Sequence, residues 1–473
     1  MGGSRKVVFL TGATGAMGRE AVKAIAAKRQ DLDLRVLVRP EEKSHPVVRD
    51  IQRRGLATIF WGDLTDAASV RAGVAGADVV LHMGALVSPL ADRLPPDVVH
   101  RVNVGGTQNV VDAIHADGGA QRTRLIYIGT VAETGSRNAP VHWGRTGDPI
   151  KLTAFCHYAV SKTLGEAIVA ESGLKYWASL RQSGMAHYEM WKIFDPIMFH
   201  NPLNGVFEWS TAHDSGRLMA AVCGDDVPAE FWRGFYNIGG GAASRVVNHQ
   251  FMARTMPQYQ SILQPHWFAT RNFHGQWYAD SDKLEALVPF RQQSLDDYFK
   301  AAPKHTPWVV RQFPKLFPGA VRKRIETLAK APGGSLHWFE ANETDKIRAY
   351  FGSREAWEAI PRDWDKFEFA KPSNAPTLLD HGYDETRAIE DLRLDDLRQA
   401  AEFRGGACLA QAYDGPDQAV SWRASDGQIF ERTPRLYLKG GHWGPVRVGD
   451  TDADSQEAKR NPFFAQVWSD LRG

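Results

Sequence analysis

The chain has 473 residues, 43% of them hydrophobic and 24% charged, the balance of a soluble globular protein long enough for two domains. Its formal net charge of +2 gives no whole-protein case for nucleic acid or an anionic membrane as partner, and no apolar run is long enough to span a bilayer. Cys156, Cys223 and Cys408 lie far apart and form no metal-ligand pair; with no secretory pattern before them, they read as thiols of a reducing compartment, which predicts a cytoplasmic protein without a metal site.

The first third alternates apolar runs with helix-like segments, which predicts an α/β fold with a doubly wound parallel sheet. Candidate strands are 7–10, 34–38, 57–60, 79–82 and 125–128. Between the first strand and a helix over 19–27 stands TGATGAMG, residues 11–18. Strand, glycine turn and helix in that order are the context of a dinucleotide-binding fingerprint. Gly12 permits the tight turn, Gly15 lets the backbone approach a pyrophosphate, and Gly18 lets the helix pack on its strand. Thr14, Ala16 and Met17 complete the predicted cofactor-facing loop. The spacing is G-x-x-G-x-x-G rather than G-x-G-x-x-G, so the rest of the chain must decide.

The second strand ends at Arg39. An acid near this position bonds a ribose 2′-hydroxyl, whereas an arginine accommodates a 2′-phosphate. Arg39 therefore favours NADP over NAD, with Lys43 adding charge. In Gly62-Asp63-Leu64-Thr65-Asp66, the Asp63 carboxylate can accept from an adenine amine or cap the next helix; Asp63 and Leu64 are both assigned to the cofactor. Gly84 and Ala85, after the fourth strand, let the backbone pass near it, and Asn103, which opens a further amphipathic helix, is also assigned to the cofactor.

These motifs, with the NVGGTQNVVDA segment of residues 103–113, resemble the extended (atypical) short-chain dehydrogenase/reductase family, NAD-dependent epimerase/dehydratase-like. That family includes sugar-nucleotide epimerases and hydroxysteroid dehydrogenases. The resemblance covers residues 6–299 and implies a Rossmann-type sheet with a small substrate-binding subdomain. Beyond the fifth strand come Thr130 and then Tyr158-Ala159-Val160-Ser161-Lys162, whose phenol and ammonium share one helix face at i and i+4. A neighbouring lysine and a nicotinamide cation both favour the phenolate, so Tyr158 is predicted to give or take the proton during hydride transfer. In the family these positions hold the substrate oxygen (Thr130), exchange the proton (Tyr158) and bond the nicotinamide ribose (Lys162). Gln182 and Ser183, after a sixth strand, are expected to touch the carboxamide.

Substrate recognition in this family falls after the catalytic helix and the last strand. Here Trp191, Phe194, Phe199, Trp209, Trp267, Phe268, Phe273, Trp277 and Tyr278 are expected to wall a mainly apolar or ring-bearing substrate. Val131 and Ala132 replace the acidic pair of the dehydratases, which argues against dehydration. A nucleotide-sugar epimerase would need a diphosphate-binding side chain, for which Arg217, Arg245 and Arg271 are candidates. A cofactor-sensing or scaffold protein is the alternative of another class.

The predicted domains are 1–302, the dehydrogenase-like unit; 303–375, a helical connection with a basic cluster at Arg322-Lys323-Arg324; and 376–473, an α+β extension. Residues 392–448 are similar to a zinc-ribbon or treble-clef module whose four ligand positions hold Ala424, Gln428, Gly444 and Arg447. With no N/S donors left there, the module is expected to serve as a lid, a dimer contact or a docking surface. The overall expectation is an NADP(H)-dependent oxidoreductase interconverting an alcohol and a carbonyl on a small molecule, with NAD as the second coenzyme. The family further implies a homodimer.

Overall fold

The computed structural model describes residues 5–27, 32–446 and 451–468. At its centre is a seven-stranded sheet: β1 (Lys6–Thr11), β2 (Leu32–Val38), β3 (Thr58–Trp61), β4 (Val79–His82), β5 (Arg124–Thr130), β6 (Tyr176–Gln182) and β7 (Gly234–Ile238). All neighbours pair in parallel, in the order β7-β6-β5-β4-β1-β2-β3. The strands are apolar on both faces because both faces are covered. Val8 and Leu10 point into one core layer with Val36, Ile126 and Leu180; Phe9, between them, points into the opposite layer with Val80, Leu125 and Tyr127.

Helices α1 (Ala16–Ala26), α2 (Ala67–Val74), α3 (Gly106–Ala116), α4 (His157–Ala170) and α5 (Ala212–Ala221) cover these faces. The expected strand and helix positions match these elements to within a few residues. The expected boundary at 302/303 falls inside a helix, Leu295–His305, with Pro303 in its last turn. Beyond it come α6 (Trp308–Leu316) and α7 (Pro318–Ala329). Ile325 and Ala329 of α7 pack with Phe199, Trp267 and Phe268 of the preceding unit.

The C-terminal segment folds as α8 (Leu394–Phe403) and a three-stranded antiparallel sheet of Ala407–Cys408, Val420–Arg423 and Ile429–Arg432. Ala424 and Gln428 face each other at its hairpin, where the Ala424 N–H donates to the Gln428 carbonyl at 2.9 Å; Arg447 lies outside the described residues. Trp422 stacks on Tyr437 at 3.8 Å and 4°, so aromatic packing fills the module's centre. The three cysteines are free and buried.

This segment is stitched to the core through buried charge. Arg181 of β6 donates to both oxygens of Glu166 on α4, at 2.5 and 3.0 Å, and to the Gly440 carbonyl at 2.6 Å. His442 contacts the same Glu166 carboxylate at 2.9 Å. Burial holds the His442 pKa below its ordinary value despite that carboxylate, so the neutral ring donates from Nε2. A second joint pairs Asp148 with Arg137 at 3.0 Å and with His381 at 2.8 Å. Aromatic residues of the last turn, Phe463, Phe464 and Trp468, are buried as well, with Lys151 4.2 Å over the Trp468 ring.

Removing one partner of a buried ion pair strands the other charge, a loss of about 3–5 kcal/mol. Arg181→Met is expected to destabilise the protein by that amount in denaturant titration. His442→Ala, which deletes only a neutral donor, should cost about 1–3 kcal/mol and expose the chain beyond residue 376 to protease before the core. Equal losses for the two variants would refute this ordering.

Candidate active site

The glycine turn runs between β1 and β4, where the strand order reverses and open α/β sheets bind ligands. Gly12 has φ +81°, and a Cβ there would stand 2.8 Å from the Gly84 Cα; a Cβ on Gly18 would stand 2.0 Å from the Gly12 carbonyl oxygen. Both glycines are required by the chain's own close approach. Gly15 differs. A Cβ there would meet only the Gly12 oxygen, at 3.4 Å, and Gly15 caps α1 without a side chain. The N-terminus of α1, with its orphan N–H groups, thus opens onto space that fits a pyrophosphate.

Behind the turn lies a buried relay. Thr11 Oγ1 accepts from the Gly84 N–H and bonds His82 Nδ1, both at 2.9 Å; His82 Nε2 bonds Thr107 Oγ1 at 2.9 Å, and Thr107 donates to the Asn103 carbonyl at 2.6 Å. Burial and the nearby Lys162 charge lower the His82 pKa to about 3. The neutral ring therefore accepts from Thr11 and donates to Thr107. The Asn103 side chain clamps Leu86 through both its amide groups, at 2.7 and 2.9 Å, and donates to Ser161 Oγ at 2.9 Å. Its side chain holds the loop after β4 against α4.

Other expected contacts are also redistributed. Asp63 accepts from the Thr65 N–H at 2.8 Å, while the cap on α2 is Asp66, which accepts from Ala68 and Ser69. Leu64 fills the gap between Gly84 and Gly106, and Ala85 follows in the same loop. Arg39 is half exposed and donates to Glu42 Oε1 at 3.0 Å. Thr14 donates to the same oxygen at 3.4 Å. Glu42, absent from the sequence reading, therefore sits between the glycine turn and the arginine assigned to a 2′-phosphate.

Thr130 ends β5, and its hydroxyl lies near enough to that of Tyr158 on α4 to favour the phenolate. Lys162 follows one turn later, buried, with its Nζ 4.0 Å over the Tyr127 ring. Thr130 and Tyr158 thus approach each other at the start of α4. Burial pushes the Tyr158 pKa above its ordinary value, and Thr130 only partly opposes this. Burial also lowers the Lys162 pKa to about 7, against the pull of Glu133 and Glu166. A lysine so desolvated is a weak source of positive charge for the phenol, which in the protein alone stays protonated.

Glu133, Glu166 and Arg181 escaped the sequence reading. Glu133 accepts from the Thr130 N–H at 3.2 Å and lies 3.4 Å from Arg181; burial and the Glu166 charge raise its pKa well above the usual carboxylate range. The donor atoms of Glu133, Glu166 and His442 lie within 4.8 Å of one another, with the Arg181 guanidinium paired to both carboxylates. Glu166 stands four residues after Lys162, so helical spacing was the available signal; Arg181 stands inside an apolar strand and gave none.

Gln182 donates to Ser210 Oγ at 2.7 Å and accepts from Ser215 at 3.0 Å. The Ser183 N–H donates to the Ile238 carbonyl at 3.3 Å. Both mark the C-terminal edge of β6.

A cavity of about 150 Å³ begins at Asp92 and Cys156, two residues before Tyr158, and includes Phe155, Ile197, His200, Phe273, Trp338 and Tyr350 in its wall. Of the nine aromatic residues expected there, only Phe273 lines it. Phe199, Trp267, Phe268, Trp277 and Tyr278 are core residues, Trp209 stacks on Phe251 at 4.2 Å, and Trp191 and Phe194 are exposed. Trp338 and Tyr350 come from the connecting region, which occupies the lid position considered for the C-terminal module. The arginines considered for a diphosphate are engaged elsewhere: Arg217 with Asp214, Arg245 with Glu208 at 2.8 Å, and Arg271 with the Arg348 carbonyl at 2.7 Å.

Part of the chain is similar to known proteins. Residues 8–182 match the family model for the NAD dependent epimerase/dehydratase family. Human 3 beta-hydroxysteroid dehydrogenase type 7 is 32% identical over 175 residues, 36% of this chain and 45% of the relative. A 4-hydroxy-2-methyl-3-oxo-4-farnesyl-3,4-dihydroquinoline-1-oxide ketoreductase of Stigmatella aurantiaca is 30% identical over 164 residues, 35% and 45% of the two chains. The chain thus spans under half the length of these relatives. The fold is that of dTDP-glucose 4,6-dehydratase from Streptomyces venezuelae, solved with NAD bound, at 19% identity and TM-score 0.50 over 63% of this chain and 96% of that one. Residues 8–182 are thus similar to the NAD dependent epimerase/dehydratase family.

Proposed function

We propose that this protein is an NADP(H)-dependent oxidoreductase that interconverts an alcohol and a carbonyl on a mainly apolar, ring-bearing small molecule. The observation that carries the reading is the approach of the Thr130 and Tyr158 hydroxyls two residues from a cavity whose wall includes Phe155, Phe273, Trp338 and Tyr350. A bound nicotinamide supplies or accepts the hydride. Gly15 and the N-terminus of α1 would hold its pyrophosphate, in a turn that Gly12, Gly18 and Gly84 make possible, with Ala85 in the adjoining loop. Thr130 orients the substrate oxygen by hydrogen bonding. Tyr158 holds a proton on its phenol oxygen and delivers it to that substrate oxygen in the reducing direction, or takes it back in the oxidising one. Lys162 would bond the hydroxyls of the nicotinamide ribose.

A cavity of about 150 Å³ takes one benzene-sized ring, so the reacting ring enters and the remainder of a longer substrate leaves by the mouth. Hydroxysteroid and farnesyl-quinoline chemistry among the relatives supports that substrate class. The engagement of Arg217, Arg245 and Arg271 within the protein speaks against a nucleotide-sugar epimerase.

Tyr158→Phe removes the proton carrier while leaving the cofactor loop intact. With a ring-bearing ketone and NADPH, kcat should fall by about 10²–10⁴-fold, with cofactor affinity nearly unchanged by fluorescence titration. Turnover at the full rate would overturn the reading of this site.

Coenzyme choice depends on Arg39 and its partner. A 2′-phosphate must draw Arg39 away from Glu42, so Glu42→Gln should raise NADPH affinity roughly tenfold. Arg39→Ala should lower it by a similar factor and leave NADH affinity unaltered. If Arg39→Ala weakens NADPH and NADH equally, or neither, the NADP assignment fails.

A further inference from the structure

Helix α6 is anomalous among the described helices of this length because none of its residues is buried. Trp308 and Leu316 are each 63% exposed, Val309 61% and Phe313 45%, and Phe317 beyond its end is 54% exposed. Val309, Phe313 and Leu316 stand at i, i+4 and i+7, on one face. Arg311 and Lys315, at i and i+4, stand on the other. From residue 304 to residue 330 the chain carries seven lysines and arginines against a single acid, Glu326, although the whole protein has a net charge of only +2. An apolar face backed by a concentrated basic one is the signature of a helix lying in a lipid interface.

The position of this patch adds a second observation. Helix α7, which follows α6, brings the Arg324 guanidinium to 5.3 Å over the Phe194 ring. Trp191, Ile193 and Phe194, exposed by 39–50%, lead directly into Asp195, and the chain after α7 reaches Pro332 and Gly333; all three line the substrate cavity. Across the mouth, Val87 and Leu90 are half exposed on the loop that supplies Ser88, Pro89 and Asp92 to the same cavity. Exposed apolar side chains therefore border the cavity entrance on both sides.

We propose that α6 and the basic residues of α7 dock on an anionic lipid surface, with Val309, Phe313 and Leu316 immersed at the acyl boundary and Arg322, Lys323 and Arg324 on the headgroups. The cavity mouth then opens towards the bilayer. No described helix is long and apolar enough to cross a membrane, so the contact is interfacial. Charge separates this occupant from a second copy of the chain. A two-fold contact through this patch would bring two equally basic segments together, whereas anionic lipid neutralises them. Docking does not depend on the reaction proposed above.

The test is flotation of the full chain with vesicles of phosphatidylcholine and phosphatidylserine at roughly 7:3, and of phosphatidylcholine alone, at low and high salt. The intact protein should float with the anionic vesicles and lose binding as salt rises. The double variant Phe313→Glu, Leu316→Glu should reduce partitioning roughly tenfold or more. The triple change of Arg322, Lys323 and Arg324 to Gln should do the same and flatten the salt dependence. Circular-dichroism melts should match that of the intact chain, since the altered side chains, or their charged ends, carry no core packing. Absence of anionic-vesicle binding by the intact chain, or variants that bind as it does, would overturn the proposal. So would a concentration-dependent dimer in sedimentation that Phe313→Glu, Leu316→Glu abolishes, because the patch would then be an interface between copies.

Discussion

The Arg181–Glu166 pair is the contact on which the rest of the arrangement depends. Both side chains are wholly buried, so their charges were taken out of water at a cost that only close geometry and further hydrogen bonds recover. Those bonds come from two directions: Ser179 on the same strand as Arg181, and Gly440 and His442 from the C-terminal segment; Glu133 beside Thr130 adds an ion-pair contact at 3.4 Å. Because Glu166 sits one turn beyond Lys162, satisfying the pair also sets the rotation of α4 against β5 and β6. The Thr130–Tyr158 contact inherits that rotation.

This accounts for the C-terminal segment in physical terms. The pair would face solvent, or a cavity, if residues 440–442 were removed. The segment acts as a seal that carries its own hydrogen-bond donors, and its interior is filled by Trp422 on Tyr437. It supports the candidate site from behind, while the connecting region forms part of the wall in front.

Local patterns carried the Rossmann half well. Short continuous apolar runs gave the strands, and the order of glycine turn, Asn103 and Tyr158-to-Lys162 gave their connections; each depends on residues close in sequence. The glycines still divided once packing was visible. Gly12 and Gly18 are small because the chain touches itself there, and Gly15 alone leaves room for a ligand. The aromatic wall was misread because a tryptophan or phenylalanine serves a core and a cleft equally well, and only tertiary contacts sort Phe273 from Phe199 or Trp267.

Sequence by itself determined the doubly wound sheet, the site of its glycine turn, and the shared helix face of Tyr158 and Lys162, since apolar runs and helix spacing are local properties of the chain. Tertiary structure alone decided the charge states around them, because desolvation depends on everything packed nearby: it raised Tyr158, brought Lys162 down to about 7 and set Glu42 against Arg39. It also decided that Trp338 and Tyr350, some 180 residues beyond Tyr158, close the cavity, while the neighbouring α6 remains uncovered. Contacts at that separation leave no periodic trace in the chain that makes them.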